Sequence, residues 1–210
     1  MIVAKSDTTR YCVGKQWTGN KLCYYDFLRP DVNEISLDIA CGSRDAIDYC
    51  LSCDKDWLSF SQTEGHTAFT DRIQIQLDRS KLSGRDTAIV TVSGTDQSKV
   101  EITIHAENRC FDDYKPMTFF EYDGYIAMEA EHFCNKQDSA DGCFSLLKPY
   151  GKTGSAMKVY PSLTDCSLTR RFEKPYLEYR FVTNTDGIYQ LTLYFGPSTP
   201  VTHEIGRAHV

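Results

Sequence analysis

An all-β fold arranged as two sandwiches in tandem is what this chain predicts, and three observations carry the prediction. Apolar residues alternate with polar ones at period two, turn residues break the chain at short intervals, and helical periodicity is nearly absent. Arg72-Ile73-Gln74-Ile75-Gln76-Leu77-Asp78 places Ile73, Ile75 and Leu77 on one face and polar groups on the other, the mark of a half-buried strand. Val100 to His105 repeats the pattern, and Thr87 to Val92 is β-branched and apolar. Ser93-Gly94-Thr95-Asp96 supplies the turn that makes these last two runs a hairpin. With 33–41 and 46–50 as further strands, residues 33–107 read as an immunoglobulin-like sandwich. Residues 1–32 carry no assignable pattern. Trp57, entering a strand of so small a sandwich, is read as the centre of the core before it is read as a sugar platform.

Residues 108–120 are polar, contain Pro116 and lack alternation, which places a linker there. Beyond it, strands are expected over 125–133, 155–160, 176–181 and 189–195, with Asp186-Gly187 turning between the final two. In the last strand Tyr189, Leu191, Leu193 and Phe195 share a face. Residues 121–203 are accordingly expected to form a truncated jelly-roll β-sandwich of the carbohydrate-binding type. Glu204 to Val210 back-translates to GAG ATC GGA AGA GCA CAC GTC, the start of a sequencing adapter, so these residues are expected to be an assembly artefact.

Composition narrows the function classes. A chain of 210 residues suits two domains of ordinary size. With 41% hydrophobic and 25% charged residues it has the balance of a folded globular protein. The net charge is −6 and the basic residues are scattered, so nucleic acid is not expected as a partner. No apolar run approaches the roughly 20 residues that cross a bilayer. The nine cysteines are odd in number and irregular in spacing, which suits free thiols and favours cytoplasm over secretion. The single Cys-x-x-Cys, Cys50 and Cys53, lacks the second half of a zinc site, and the five histidines show no metal spacing.

Three blocks carry candidate chemistry. Glu129 and Glu131, two apart in an expected strand, leave one face with Cα atoms about 6.6 Å apart. A glycosidase pair must flank a bond across a cleft, and neighbours on one strand point in parallel, so no catalytic residue is assigned here. Parallel carboxylates can instead converge on a hard cation such as a structural Ca²⁺, the alternative being two solvent-exposed glutamates. Tyr150-Gly151-Lys152-Thr153-Gly154-Ser155 combines two glycines with an aromatic, a cation and hydroxyls, and could hold a sugar carboxylate or hydroxyl, or simply turn into the next strand. It lacks the upstream glycine and the strand-loop-helix setting of a phosphate loop. Tyr150 and Tyr176 are candidate platforms for pyranose rings, whereas Tyr179, sharing a face with Leu177 and Phe181, reads as core. Tyr150, Lys152, Thr153 and Tyr176 are thus the candidate ligand-binding residues.

In order and separation, Glu-Ala-Glu at 129–131, Tyr-Gly-Lys-Thr-Gly-Ser at 150–155 and Pro-Tyr-Leu-Glu-Tyr at 175–179 resemble the last β-sandwich of glycoside hydrolase family 115. Asp56-Trp57-Leu58-Ser59 with Gly65 and the following strand resembles the immunoglobulin-like domain before it, so the resemblance spans 33–202. Where that family has a Tyr-Gly-Arg-Thr-Gly-like loop, Lys152 keeps the charge and loses the bidentate fork. The Glu-Ala-Glu start is also similar to carbohydrate-binding module families 6 and 35, which implies a structural calcium at Glu129 and Glu131. What the resemblance implies is the C-terminal accessory part of an enzyme that removes glucuronic acid or its 4-O-methyl ether from xylan, with no cofactor required for the reaction. Its implied partners are the remainder of the parent chain, a second copy in a homodimer, and xylan or glucuronosyl-oligosaccharides. The alternative is a non-catalytic carbohydrate-binding protein.

Overall fold

The computed structural model describes residues 1–14, 21–42, 45–140, 142–162 and 174–196. The expected artefact 204–210 lies outside these, as does Cys166. The regular structure of the described residues is almost entirely strand, and the chain divides into two units, Met1–Lys115 with Phe120–Ile126, and Pro116–Phe119 with Ala127 onward.

In the first unit the strands are β1 (Ile2–Lys5), β2 (Tyr11–Val13), β3 (Leu22–Phe27), β4 (Glu34–Ala40), β5 (Ile47–Cys53), β6 (Leu58–Phe60), β7 (Glu64–Thr67), β8 (Thr70–Leu77), β9 (Arg85–Gly94) and β10 (Lys99–Glu107). They form two five-stranded sheets, ordered β2-β1-β4-β8-β6 and β3-β10-β9-β5-β7. The alternation decides which residues meet. Register pairs Ile35 with Ile75 and Leu37 with Ile73 in one sheet, and Val90 with Ile102 and Ala88 with Ile104 in the other. These side chains are buried and gather into one core drawn from both sheets, a β-sandwich. Removing each of these Val, Leu and Ile side chains from water stabilises by roughly 1.5–3 kcal/mol.

The stretch 1–32, unreadable in the sequence, supplies β1, β2 and β3. Its pattern is obscured because Lys5 and Asp26 are inward-facing, 4% and 5% exposed, and compensate one another through a 2.6 Å ion pair. β3 runs parallel to β10, while the other pairings are antiparallel. Trp57 is core, 3% exposed, and its indole N–H donates to Asp86 Oδ2 at 3.0 Å. The β9–β10 hairpin closes on a turn in which Gln97 takes a positive φ of 61° and Asp96 accepts the Ser98 amide at 2.9 Å.

Three two-stranded ribbons follow, their residues assigned to the second unit apart from Phe120: β11 (Thr118–Phe120) with β16 (Arg180–Val182), β12 (Asn135–Gln137) with β15 (Tyr176–Glu178), and β13 (Cys143–Leu147) with β14 (Ala156–Tyr160). Two expected strands differ. The stretch 125–133 is not a strand; after Tyr125 it runs irregularly into a turn at 130–131, with the His132 N–H donating to the Glu129 carbonyl at 3.0 Å. The expected strand 189–195 takes part in no β-ladder among the described residues, and Leu191, Leu193 and Phe195 are 61%, 56% and 76% exposed. Alternation alone does not make a strand; a partner ladder must take its backbone groups. The run 176–181 splits into β15 and β16 at Tyr179, which is half-buried and donates its hydroxyl to the Ala130 carbonyl at 2.7 Å. No helix among the described residues is long and apolar enough to cross a membrane, and the eight cysteines among them form no disulfide with one another.

Candidate functional site

The turn at 129–131 and the loop at 150–155 meet, and two carboxylates make the junction. The Thr153 hydroxyl donates to Glu129 Oε1 at 2.5 Å, and the Ser155 amide donates to Glu131 Oε1 at 2.9 Å. The loop closes on itself through the Gly151 N–H and the Gly154 carbonyl, 3.0 Å apart. Gly154 faces Glu131 Oε1 so closely that a Cβ there would push this carboxylate oxygen away from the Ser155 amide. Glu129 and Glu131 are two residues apart on a turn, so the loop is held at two points from one short segment.

Charge supports the same arrangement. The Ser155 amide, followed by the backbone N–H of Glu131 itself, holds the Glu131 carboxyl below its ordinary value. Tyr179, whose hydroxyl pins the carbonyl of the intervening Ala130, is pushed up by burial and by the Glu131 charge. Glu131 Oε2 is shielded from solvent and has no hydrogen-bond partner among the described residues.

The candidates are not all brought together. Thr153 is engaged by Glu129, and Lys152 is exposed beside it. Tyr150, at the start of the loop, is 55% exposed, and its ring leaves no room for a side chain at Gly196. Tyr176 is 38% exposed on β15, where it pairs with Gln137, and no described contact joins it to the loop. Sequence reasoning did not single out Ser155 or Tyr179 for these roles, since a backbone donor and a tyrosine hydroxyl reaching across about 50 residues leave no local signal.

Whether the pair fits calcium can be judged from its donors. Ca²⁺ takes six to eight oxygens. Two of the four carboxylate oxygens here already accept from the loop, and no group of three or more His, Cys, Asp or Glu side chains suited to a metal occurs among the described residues. The described residues alone do not complete a cage, and what the carboxylates visibly do is brace the loop.

Comparison with known proteins bears on this half of the chain. The model of the glycosyl hydrolase family 115 C-terminal domain matches residues 118–208. No curated protein matches. Among solved structures, a GH5 xyloglucanase of Bacteroides ovatus in complex with a XXXG heptasaccharide is 18% identical over 60% of this chain and 21% of its own, with a TM-score of 0.33. The MSP-domain-like protein SSP-19 of Caenorhabditis elegans is 9% identical over 35% of this chain and 84% of its own, with a TM-score of 0.31. The periplasmic chaperone SfaE is 6% identical over 78% of this chain and 96% of its own, with a TM-score of 0.33. Likenesses this weak carry no argument. The braced loop and both its carboxylates therefore lie in a segment, 118–208, that is similar to the C-terminal domain of glycosyl hydrolase family 115.

Proposed function

We propose that this chain is the C-terminal accessory portion of a family 115 xylan α-1,2-glucuronidase, an immunoglobulin-like sandwich followed by a jelly roll, with the hydrolytic residues elsewhere in the parent chain. The observation that carries the reading is the family match over 118–208. Supporting it, Glu129 and Glu131 do not face each other across a substrate but are both engaged by one loop. Accessory domains of this kind act by bracing the catalytic barrel, by dimerising, or by lending a loop to the cleft, and a loop fixed at two carboxylates is suited to the last. The partners on this reading are the rest of the parent chain, a second copy, and glucuronosyl-xylan; the compartment proposed is the cytoplasm.

The test is made at two lengths. The open frame that contains this chain should encode a β/α barrel upstream, and its full product should release glucuronic acid or its 4-O-methyl ether from decorated xylan. The 210-residue chain should release none. Release by the 210-residue chain, or a frame with no barrel, overturns the proposal.

A second reading, a non-catalytic carbohydrate-binding protein, is favoured by the exposure of Tyr150 and Tyr176, since exposed aromatic faces stack on pyranose rings. Retardation of the chain in xylan-containing gels, abolished in Tyr150→Ala or Lys152→Ala, supports it; no retardation supports the first. A structural Ca²⁺ at Glu129 and Glu131 requires further oxygens from outside the described residues, and a rise in Tm on adding Ca²⁺, absent in Glu131→Gln, would show it.

A further inference from the structure

Residues 120–126 go with the first unit, although Pro116–Phe119 just before them go with the second. The chain therefore returns to the first unit for seven residues, and what holds them there is specific. Tyr122 and Tyr125 exchange backbone hydrogen bonds, 2.8 and 3.0 Å, across Asp123 and Gly124, whose φ angles are 54° and 87°. Positive φ at both central positions makes this a type I′ turn, which Asp-Gly suits better than almost any other dipeptide.

The turn presents charge and ring together. Asp123 Oδ1 lies 2.8 Å from the Arg10 guanidinium and 3.8 Å from Lys5 Nζ. The Tyr122 ring takes the Lys5 ammonium at 5.4 Å and the Arg29 guanidinium at 5.6 Å. Lys5 is the buried lysine of the first sheet, already paired with Asp26 at 2.6 Å and lying 4.9 Å from the Tyr24 ring. Lys5 and Arg10 thus share Asp26 and Asp123, while Arg29 is held by Asp31, and the returning segment supplies the second carboxylate. At its start Phe120 packs edge-on against Tyr114 and Phe111, at centroid distances of 4.9 and 5.9 Å, and Glu121 is 6% exposed. Tyr122, Gly124 and Tyr125 are exposed at the tip, and Asp123 between them is the half-buried group that meets the buried Lys5 charge, which is costly to bury unmatched.

We propose that residues 120–126 are a clasp, a type I′ turn locked onto the first unit by Asp123 and Tyr122, which opens on its own when the Arg10–Asp123 pair is lost while the sandwich stays folded. The proposal is independent of the glycosidase reading. It makes the stretch after Lys115 an engaged strap with a defined release point instead of a free linker.

Amide hydrogen exchange on the whole 210-residue chain tests it. Asp123→Asn keeps a residue tolerant of positive φ and removes only the charge. Arg10→Gln alters a side chain that is 45% exposed and leaves the core untouched. Each variant should speed exchange at the Tyr122 and Tyr125 amides roughly 3- to 10-fold while the Leu37 and Ile73 amides keep their wild-type rates. The double variant should open no further than either single one, as two partners of one interaction must. Unchanged turn amides in both single variants would overturn the clasp, and so would a parallel acceleration of the β4 and β8 amides, which would mean that the turn opens only with the sandwich.

Discussion

At Gly154 an added methyl group would press on the Glu131 carboxylate that braces the candidate loop. A methyl group there pushes Glu131 Oε1 off the Ser155 amide, so Gly154→Ala is expected to lower stability by about 1 kcal/mol in urea unfolding, the worth of that hydrogen bond, and to loosen Thr153 and Ser155 with it. The carboxylates add a pH dependence of known sign. Glu131 titrates below its ordinary value of 4.5 in the folded chain, so its stabilising effect is present above the unfolded value and fades as the pH falls through the folded one. Glu131→Gln should therefore flatten the acid limb of a plot of unfolding midpoint against pH and leave the neutral side parallel to wild type. Asp96 behaves alike but lower: the Ser98 hydroxyl first, then the Ser98 amide and the chain's own N-terminal ammonium, bring it from 3.8 to about 2. Its contribution is complete above 3.8 and is lost between there and about 2, a slope that Asp96→Asn should remove. Residue types were legible in the sequence, and so were Glu129, Glu131 and the loop as separate blocks. That they meet was not, because a hydrogen bond spanning 24 residues is set by the turn and the loop folding against one another.

Strands were readable where burial obeyed alternation. β4, β8, β9 and β10 carry Ile35, Leu37, Ile73, Ile75, Val90, Val92, Ile102 and Ile104 on their inward faces, and a period of two says so directly. β1 and β3 were not readable because they turn Lys5 and Asp26 inward, and a pattern rule scores an inward charge as outward. The stretch 125–133 shows the reverse failure, apolar residues at strand spacing with their backbone spent on turns. Trp57 lies just before β6, enclosed by the core and tied to Asp86, which also accepts from Lys55 Nζ at 2.9 Å. Trp57→Ala is expected to cost about 3–5 kcal/mol, read by chemical denaturation, with any sugar affinity of the second unit unchanged. On β7, Gly65 lies under the Tyr49 ring, and that ring carries a hydroxyl bonded to Asp71 at 2.8 Å. Gly65→Ala must therefore displace both, and should detach β7 from β5 before any other strand yields, seen as early exchange at 64–67.

Taken as a whole, the chain spends its fully buried apolar side chains unequally. The large side chains sealed from water, Tyr24, Phe27, Leu28, Leu37, Ile39, Ile73, Ile75, Ile102 and Ile104 among them, all belong to the first unit. Among the described residues of the second unit no aliphatic or aromatic side chain is sealed in this way, and Phe181, Ile188, Leu191, Leu193, Tyr194 and Phe195 are more than half exposed. Stability follows buried apolar area, so separate unfolding of the two units is the expected outcome. Differential scanning calorimetry should resolve a cooperative high-temperature transition from the sandwich and a broad, weak one below it from 127–196. Amide exchange should place the slowest protons in β4, β8, β9 and β10. A single sharp transition, with the β13 and β14 amides as slow as those of β9, would mean that the second unit has a core this structure does not contain. The same imbalance bears on function, since a loop braced by Glu129 and Glu131 in a weakly cored unit depends on those carboxylates for its shape. Ligand that binds the loop should then raise the lower transition and leave the upper one in place.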